Sequence, residues 1–470
     1  MKQHWIPLYQ SLIQFKENNP ISFHVPGHKN GTIFPEQARG YFDSILKFDM
    51  TELTGLDDLH APTEAIAKAE MLAADFFHAD HTFFLVGGST AGNLAMILAT
   101  CSAGDKIIVQ RNSHKSIMNG LELSGAKPVF IAPEYDPRVD RYTHPSLDTV
   151  RKALQRHPDV KAVVLTYPDY FGKTYEIKDM IELVHEYHVP VLVDEAHGVH
   201  FSLGNPLPTS ALELGADVVV QSAHKMAPAM TMASFLHMKS RFVSMEKVAH
   251  YLQMIQSSSP SYPLMASLDI ARSFLATLKK EEIGSILQSV IKIRGILERT
   301  KYWDVLIADD PLKLTLHMKQ GVSAKDVAEL FEKQNIFPEL VTHNQILLIH
   351  GLAPFQKMGH LRKAVKRVNE QLKNSVNHDI IDIAGLFPET IQELTLSYQA
   401  MNKLQTIHVP FTEAIGYRAA EAVIPYPPGV PLVLKGETIT ATHIDVIERM
   451  RIQGVRIQQR NNHSIRIYSS

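Results

Sequence analysis

The sequence predicts an α/β protein whose large domain is built on a mostly parallel β-sheet. Between residues 83 and 221, short apolar segments of strand length alternate with amphipathic helical segments. This alternation is typical of a parallel sheet covered by helices on both faces. Beyond about residue 240 the pattern changes to long helices with a few strands. The change predicts a smaller α+β domain, followed by a separate carboxyl-terminal segment.

Apolar periodicity gives the position of each element. Helices are predicted where apolar residues recur at helical spacing, and strands where short runs of apolar, often β-branched residues follow one another. The predicted helices cover residues 7–17, 64–77, 147–156, 177–188, 246–255, 264–279, 281–298, 324–334 and 360–375, and one more helix ends near residue 124. The predicted strands cover residues 83–86, 106–110, 128–131, 161–165, 189–194, 216–221, 314–318 and 345–350.

The composition limits the classes of protein that fit. The chain has 470 residues, of which 45% are hydrophobic and 20% charged, and these values predict a globular protein of two or three domains. A formal net charge of −2 gives no support to a nucleic-acid or membrane-surface partner. With Cys101 as the single cysteine, we expect neither a disulfide framework nor a metal site. The amino terminus lacks the apolar core of a signal peptide, so we expect a cytoplasmic protein.

Polar residues follow the predicted strands at their carboxyl ends, where ligands bind in parallel sheets. Chance placement of seven polar groups at this edge is improbable, which makes the edge the candidate active site. The seven residues are Ser89, His114, Thr166, Asp194, His197, Ser222 and Lys225.

Two of the predicted strands present a lysine and an acid. The strand at 216–221 is followed by Ser222-Ala-His-Lys225, and the strand at 189–194 ends at Asp194. Pyridoxal phosphate (PLP) requires a lysine amine for its Schiff base and an acid opposite its pyridine nitrogen. Either strand alone could end in a solvated side chain, but the two together favour PLP.

A glycine turn upstream suits the phosphate of such a cofactor. The predicted strand at 83–86 leads into Gly87-Gly-Ser89-Thr90 and then into a helix. A helix amino terminus offers free N–H groups and the positive end of a dipole, and the two hydroxyls add further donors. Such turns often serve only as helix caps. In a series that also contains the lysine and the acid, this turn is the natural phosphate site.

The motifs together resemble a known family, the bacterial Orn/Lys/Arg decarboxylases of the aspartate-aminotransferase fold (PLP fold type I), in their short Gram-positive branch. The resemblance extends from His24 to about Glu437. The motifs that carry it are Ser-Ala-His-Lys, Asp-Glu-Ala-His-Gly, Gly-Gly-Ser-Thr-x-Gly-Asn, Arg-Asn-Ser-His-Lys-Ser, His-x-Pro-Gly-His-Lys, Leu-Thr-Gly-Leu-Asp-Asp-Leu-His and Pro-Tyr-Pro-Pro-Gly-Val-Pro.

The resemblance implies a role for each matching residue. Lys225 would form the Schiff base, Asp194 would pair with the pyridine nitrogen, and His114 would stack on the ring. The phosphate would be held by Ser89, Thr90, Ser222 and His224. His197 would lie near the phenolic oxygen of the cofactor or the substrate carboxylate. The implied catalytic residues are Lys225, His114, Asp194 and His224.

The resemblance also implies four domains. These are an amino-terminal arm over residues 1–50, a PLP-binding large domain over 51–265, a small α+β domain over 266–370 and a carboxyl-terminal decarboxylase domain over 371–470. In the last of these we expect the proline-rich run at 421–431 to form an ordered loop against the active-site side. The family forms its active sites across a dimer interface, which implies a homodimer.

A basic amino acid carries a distal cation, so the substrate site requires a carboxylate. The loop at residues 51–60 is rich in carboxylates, although most acidic loops are only solvated. The candidate carboxylates are Glu52, Asp57, Asp58, Asp169 and Glu421. We favour arginine, converted to agmatine for polyamine synthesis, with lysine to cadaverine and ornithine to putrescine as close alternatives. The segment at 168–172 departs from the family pattern and leaves the choice of substrate open.

Two rival functions are compatible with these patterns. Another fold type I enzyme, an aminotransferase or a lyase, would use the same lysine and acid, and Arg418 could then bind an α-carboxylate. A non-catalytic regulatory or structural protein could also retain the fold. The intact set of Lys225, Asp194, His114 and Ser89 argues against the second rival, because a scaffold has no physical need for all four.

Overall fold

The structure is a computed structural model that describes residues 1–374, 381, 383, 385–425, 429–452, 454–457 and 464–469. Its helices are α1 (Pro7–Glu17), α2 (Glu36–Leu46), α3 (Ala65–Phe77), α4 (Gly88–Thr100), α5 (Lys115–Ser124), α6 (Leu147–Arg156), α7 (Ile177–Glu186), α8 (Ala223–Met226), α9 (Met245–Ile255), α10 (Tyr262–Thr277), α11 (Lys280–Leu297), α12 (Ala324–Glu332), α13 (Met358–Gln371), α14 (Tyr398–Met401) and α15 (Ala441–Ile452).

The strands alternate with these helices through the first half of the chain. They are β1 (His81–Leu85), β2 (Lys106–Gln110), β3 (Lys127–Ile131), β4 (Tyr135–Asp136), β5 (Arg141–Tyr142), β6 (Val163–Thr166), β7 (Val191–Asp194), β8 (Val218–Gln221), β9 (Ser234–Met238), β10 (Trp303–Leu306), β11 (Lys313–Met318), β12 (Leu340–Val341), β13 (Gln345–Ile349), β14 (Ile391–Glu393), β15 (Thr406–Pro410) and β16 (Ser464–Tyr468).

The predicted elements are confirmed where the periodicity is strong. The predicted bounds of α1, α6 and β2 coincide with the observed ones. Most other boundaries shift by one to three residues, as at α7, which ends at Glu186 and not at residue 188. Several elements were not predicted at all, among them α2, β9 and α15.

Packing divides the chain into two compact units, and the predicted domain boundaries stay a prediction. The first unit comprises residues 1–100 and 177–279, and the second comprises residues 101–176 and 280–470. None of the helices in the described part of the chain is both long enough and apolar enough to cross a lipid bilayer.

The first unit contains four strands in the order β1-β9-β8-β7. Strand β9 is antiparallel to both β1 and β8, whereas β7 and β8 are parallel. Strands β1, β8 and β7 therefore run in the same direction, and their carboxyl ends share one edge. Helix α4 packs closely on them, since a Cβ atom on Gly92 would lie 2.8 Å from side-chain carbons of Leu85 and Val220.

The second unit contains a second set of strands in the order β6-β2-β3-β14, and the strand pairs β2–β3 and β2–β6 are parallel. An antiparallel sheet in the order β10-β11-β13-β12 confirms the predicted α+β character of residues 314–350. Strands β15 and β16 pair with each other. Beside them Phe411, Val423 and Ile465 belong to a buried apolar cluster. These pairings confirm a mostly parallel α/β architecture.

Candidate active site

Lys225 lies directly beyond the carboxyl end of β8, in the short helix α8. Its Nζ atom is 3.0 Å from Nε2 of His197. A lysine ammonium only donates hydrogen bonds, so Nε2 accepts when Lys225 is charged, and the imidazole proton then lies on Nδ1. The structure therefore joins the two residues that sequence analysis placed after β8 and β7, within hydrogen-bond distance of each other.

Asp194 is the last residue of β7, and it is 3% exposed. Its Oδ2 accepts a hydrogen bond of 2.9 Å from Nδ2 of Asn93, and its Oδ1 accepts one of 3.2 Å from the backbone N–H of Ala196. These two donors fix the orientation of the carboxylate. Asn93 was not singled out from the sequence. A fully buried amide within the apolar helix α4 is the signal that identifies it, because such a group requires a partner.

The amino terminus of α4 and the end of β8 provide donors for a phosphate. Ser89 and Thr90 lie in the first turn of α4, where backbone N–H groups lack partners within the helix. Gly88 has φ of +74°, a conformation that favours glycine. The Oγ atom of Ser222 is buried and has no hydrogen-bond partner in the described part of the chain. An unsatisfied buried hydroxyl is unusual in a native protein and fits an absent acceptor such as a phosphate oxygen.

His224 contacts the following loop, since its Nδ1 lies 3.2 Å from the carbonyl oxygen of Ala233. This distance suits a ring proton on Nδ1, which leaves Nε2 directed away from that carbonyl. The polar groups of the first unit therefore include an ammonium group, hydroxyls, imidazoles and a buried acid. These are the types of group that bind PLP.

His114 belongs to the second unit, where it caps helix α5. Its Nδ1 accepts a hydrogen bond of 3.3 Å from the backbone N–H of Ser116 and lies 2.9 Å from that residue's Oγ. Its neighbour Ser113 lies 3.2 Å from the hydroxyl of Thr166, at the end of β6. Within this unit, His114 follows the carboxyl end of β2, and Thr166 is the last residue of the parallel strand β6.

A series of buried, hydrogen-bonded polar side chains begins at the sequence neighbours of Asp194 and Ser222. The carboxylate of Glu195 accepts a hydrogen bond of 2.7 Å from Gln221. The Gln221 amide oxygen lies 3.0 Å from Nε2 of His237, whose Nδ1 lies 2.9 Å from the hydroxyl of Thr82. Burial raises the pKa of Glu195 to about 7, against the opposing effect of its hydrogen bonds. Burial also lowers the pKa of His237 to about 3, so this histidine stays neutral.

Two candidate carboxylates of the loop at 51–60 have structural partners. Asp57 accepts hydrogen bonds of 2.8 and 2.9 Å from the backbone N–H groups of Glu64 and Ile66 and so caps α3. Burial acts to raise the pKa of Asp57, but hydrogen bonds from the backbone outweigh burial and lower it. Asp58 accepts a hydrogen bond of 2.8 Å from the backbone N–H of His60.

Glu52 differs from these neighbours in having an unused oxygen. Its Oε2 accepts a hydrogen bond from the hydroxyl of Thr51. Its Oε1 is buried and has no hydrogen-bond partner among the residues that the structure describes. Burial and then the negative charge of Glu52 raise the pKa of Tyr262, whose hydroxyl donates a hydrogen bond of 2.5 Å to the carbonyl of Asp57.

The remaining two candidates lie in the second unit and are engaged there. Oδ2 of Asp169 lies 3.2 Å from a guanidinium nitrogen of Arg141, and its Oδ1 accepts a hydrogen bond of 2.9 Å from the backbone N–H of Phe171. Oε1 of Glu421 accepts a hydrogen bond of 2.9 Å from the backbone N–H of Arg466. Both carboxylates thus have partners within the chain itself.

The proline-rich run also belongs to the second unit. Its residues 426–428 lie outside the described residues, whereas Gly429 and Pro431 are described. The carbonyl oxygen of Gly429 accepts a hydrogen bond of 3.1 Å from the backbone N–H of Lys115. Gly429 therefore binds the residue that follows His114, and the predicted position of the run against an active site stays a prediction.

Comparison with known proteins gives consistent matches along the chain. Residues 6–311 match the Orn/Lys/Arg decarboxylase major domain, and residues 382–462 match the carboxyl-terminal domain of the same family. The chain is 42% identical to the uncharacterized protein YaaO of Bacillus subtilis over 460 residues, which cover 96% of this chain and 95% of YaaO. It is 37% identical to an arginine decarboxylase of Bacillus subtilis over 473 residues, which cover 97% and 96% of the two chains.

Solved structures share the fold at lower sequence identity. The lysine decarboxylase LdcF of Francisella novicida superimposes with a TM-score of 0.81 at 19% identity, over 98% of this chain and 81% of that chain. The family match covers more than half of the sequence, and it agrees with the buried acid and the lysine at the ends of neighbouring parallel strands. The chain belongs to the Orn/Lys/Arg decarboxylase family and is a PLP-dependent amino-acid decarboxylase.

Proposed function

We propose that the protein decarboxylates arginine to agmatine. The observation that carries the reaction type is the pair of neighbouring parallel strands β7 and β8, which end in the buried Asp194 and lead to Lys225. The choice of arginine is supported by the 37% identity to an arginine decarboxylase over almost the whole chain. Lysine and ornithine, the other substrates in the family description, are the alternatives.

Each residue of the first unit has a distinct task in this proposal. Bound PLP supplies an electron sink for the electron pair that remains when the α-carboxylate leaves as CO2. Lys225 would hold the cofactor covalently and, with His197 3.0 Å from its Nζ, would move the proton that replaces CO2 on Cα. Asp194 would pair with the protonated pyridine nitrogen, and Asn93 holds Asp194 in place through its hydrogen bond. Ser89, Thr90, Ser222 and His224 would hold the phosphate.

The family resemblance assigns the face of the cofactor ring to His114. With Nδ1 engaged by Ser116, the imidazole is fixed to one orientation about its side-chain bonds. A flat group held in this way against a ring would keep the ring planar and exclude water from it. Loss of water matters because the α-carboxylate leaves more readily from a less polar environment.

Glu52 is the carboxylate that best suits the distal cation of the substrate. All five candidate carboxylates accept a hydrogen bond within the chain, but among them only Glu52 also has a buried oxygen without a partner in the described residues. A buried carboxylate oxygen without a partner is energetically costly, and a guanidinium N–H would satisfy Oε1 of Glu52.

A homodimer with active sites at the subunit interface belongs to the same proposal. It is supported by the large apolar side chains that the amino-terminal arm exposes, including Phe23 and Tyr41, which are 94% and 92% exposed. A cytoplasmic location and a role in polyamine synthesis complete the proposal and stay predictions.

A substrate panel tests this function. Purified protein is supplied with PLP and with arginine, lysine or ornithine, and the products are identified by mass while CO2 release is measured. We expect agmatine and CO2 from arginine, and we expect Lys225→Ala to lose both turnover and the visible absorbance of the bound cofactor. Formation of a keto acid in place of CO2 would favour an aminotransferase, in which Arg418 would have a role. A Lys225→Ala variant that kept colour and turnover would contradict the proposal.

The same assay separates Glu52 from its neighbours. Glu52→Gln removes the charge, and the loss of one charge-assisted hydrogen bond should raise KM for arginine by roughly 10- to 100-fold. Glu64→Gln is the matched control, because Glu64 is exposed in the adjoining segment and contributes only its backbone N–H to the Asp57 cap. An unchanged KM in Glu52→Gln would exclude Glu52 from the cation site and leave the reaction type untouched.

A further inference from the structure

A buried ion pair joins the loop before His114 to the carboxyl-terminal part of the second unit. Arg111 directly follows β2 and is 2% exposed, and Glu437 is 5% exposed. Nη2 of Arg111 lies 2.7 Å from Oε2 of Glu437. Buried charges are costly without a partner, so each of these residues requires the other.

The guanidinium of Arg111 binds more than the carboxylate. Its Nη1 donates a hydrogen bond of 2.9 Å to the carbonyl of Pro431, and its Nη2 donates one of 3.0 Å to the carbonyl of Leu432. Oε2 of Glu437 also accepts a hydrogen bond of 2.7 Å from the backbone N–H of Leu434. The flat, multidentate geometry of arginine therefore fixes the whole turn from 431 to 437, which a lysine could not do.

The same segment also holds the chain on the other side of His114. The backbone N–H of Lys115 donates a hydrogen bond of 3.1 Å to the carbonyl of Gly429. His114 thus lies between two attachment points, Arg111 and Lys115, and both bind residues 429–437. The guanidinium of Arg111 lies 5.0 Å from the centre of the Phe387 ring, which restricts its movement further.

We propose that Arg111 and Glu437 are positioning residues, which fix the position of His114. Through them, the carboxyl-terminal segment affects the rate of the reaction. The segment supplies no group that touches the substrate in this proposal. It determines where the imidazole lies and how far it moves. This inference rests on the proposed function, in which His114 packs on the cofactor ring.

The test is the variant Glu437→Gln, which keeps an oxygen for Arg111 and removes the charge. A mutation that misplaces a group in an active site by about 1 Å can lower the rate by about 100-fold. We therefore expect kcat to fall by roughly 10- to 100-fold. KM for arginine should change by less than about threefold, because the interaction acts on the reacting geometry and not on ground-state binding. The visible circular dichroism of the bound cofactor, which reports ring orientation, should change as well. Glu437→Asp, which keeps the charge on a shorter side chain, should show an intermediate kcat and provides a second variant if Glu437→Gln does not fold.

Lys435→Met is the matched control. The Lys435 ammonium binds the carboxylate of Glu122 and so ties the same segment to α5, but through a part-buried pair near the carboxyl end of the helix, away from His114. We expect this variant to keep wild-type kcat and cofactor circular dichroism. Equal losses of kcat in Lys435→Met and Glu437→Gln would reflect general loosening of the segment and would overturn the proposal.

A double-mutant cycle isolates the part of the effect that passes through His114. In a His114→Ala background, Glu437→Gln should reduce kcat by less than about twofold further, because the group that it positions is gone. Fully additive losses would overturn the positioning role. The proposed function would survive that result as long as Lys225→Ala still lost the colour of the bound cofactor.

Discussion

Burial shifts the pKa of individual carboxyl groups in the first unit. Glu70 of α3 is 3% exposed, and its carboxyl accepts a hydrogen bond of 2.9 Å from the backbone N–H of Phe84. Burial raises the pKa of Glu70 to about 8, because the hydrogen bond compensates only part of the lost hydration. Near neutral pH the folded protein therefore holds this group in its protonated form.

This shift predicts a pH dependence of stability. A pKa that is raised on folding stabilises the native state at low pH, and the contribution is lost as pH rises from about 4.5 to about 8. Glu70→Gln stays neutral, so we expect it to gain stability relative to the wild type between pH 5 and pH 9, by at most about 4 kcal/mol. Urea unfolding at the two pH values measures the difference.

The exposed Glu17 at the end of α1 provides the control, since Glu17→Gln should leave the pH dependence of unfolding unchanged. A Glu70→Gln variant whose stability followed that of the wild type across this range would show that Glu70 is ionised in the folded protein.

At the scale of elements, a polar chain connects the strands of the first unit. Glu195 follows β7, Gln221 ends β8, His237 belongs to β9 and Thr82 to β1. The Gln221 amide donates a hydrogen bond to Glu195, and its oxygen lies 3.0 Å from the His237 ring. Gln221 is therefore the central member of this series of hydrogen-bonded side chains. All of these side chains are buried, so each hydrogen bond replaces one to water.

Removal of the central amide should therefore be costly. Gln221→Leu removes one hydrogen-bond partner from the Glu195 carboxyl and one from the His237 imidazole, and we expect the free energy of unfolding to fall by about 2–4 kcal/mol. Chemical denaturation measures this change. The double variant Gln221→Leu/His237→Phe removes one of the abandoned partners and should recover part of the loss. A double variant whose loss equalled the sum of the two single losses would show that the residues do not act as a chain.

At the scale of the whole molecule, the segment from residue 21 to residue 41 exposes several large apolar side chains. Ile21, Phe23, Val25, Ile33 and Tyr41 are 85%, 94%, 62%, 65% and 92% exposed. Such a concentration of large apolar side chains is typical of interaction surfaces. A second copy of this chain is the partner that the proposed homodimer supplies.

This surface predicts the behaviour of variants in solution. Phe23→Ser together with Tyr41→Ser should raise the dimer dissociation constant by at least about 10-fold, because two large aromatic groups would no longer be buried at the interface. Sedimentation at several protein concentrations measures the constant. Phe337→Ser is the control, since Phe337 is also largely exposed, at 72%, but belongs to the second unit. Equal effects of the two changes, or a monomeric wild type, would contradict this assignment of the surface.

The sequence determined the features that depend on local periodicity. Strands such as β2, helices such as α1 and α6, and the delivery of Asp194 and Lys225 to strand ends all follow from residues near one another in the chain. The physical reason is that apolar spacing and β-branched runs act over a few residues. Strand β9 was not predicted because Ser234 and His237 interrupt its apolar pattern. In the folded protein both residues are buried, and the segment pairs with β8 as a strand.

Tertiary structure decided which partner each polar group has. Five carboxylates were equal candidates for the substrate cation, and only the fold shows that Asp57 caps α3 while an oxygen of Glu52 has no partner in the described chain. Asn93 reaches Asp194 across 101 positions of sequence, and Arg111 reaches Glu437 across 326. Hydrogen bonds and ion pairs act over a few ångströms in space, so residues this far apart in sequence become partners only when the chain has folded.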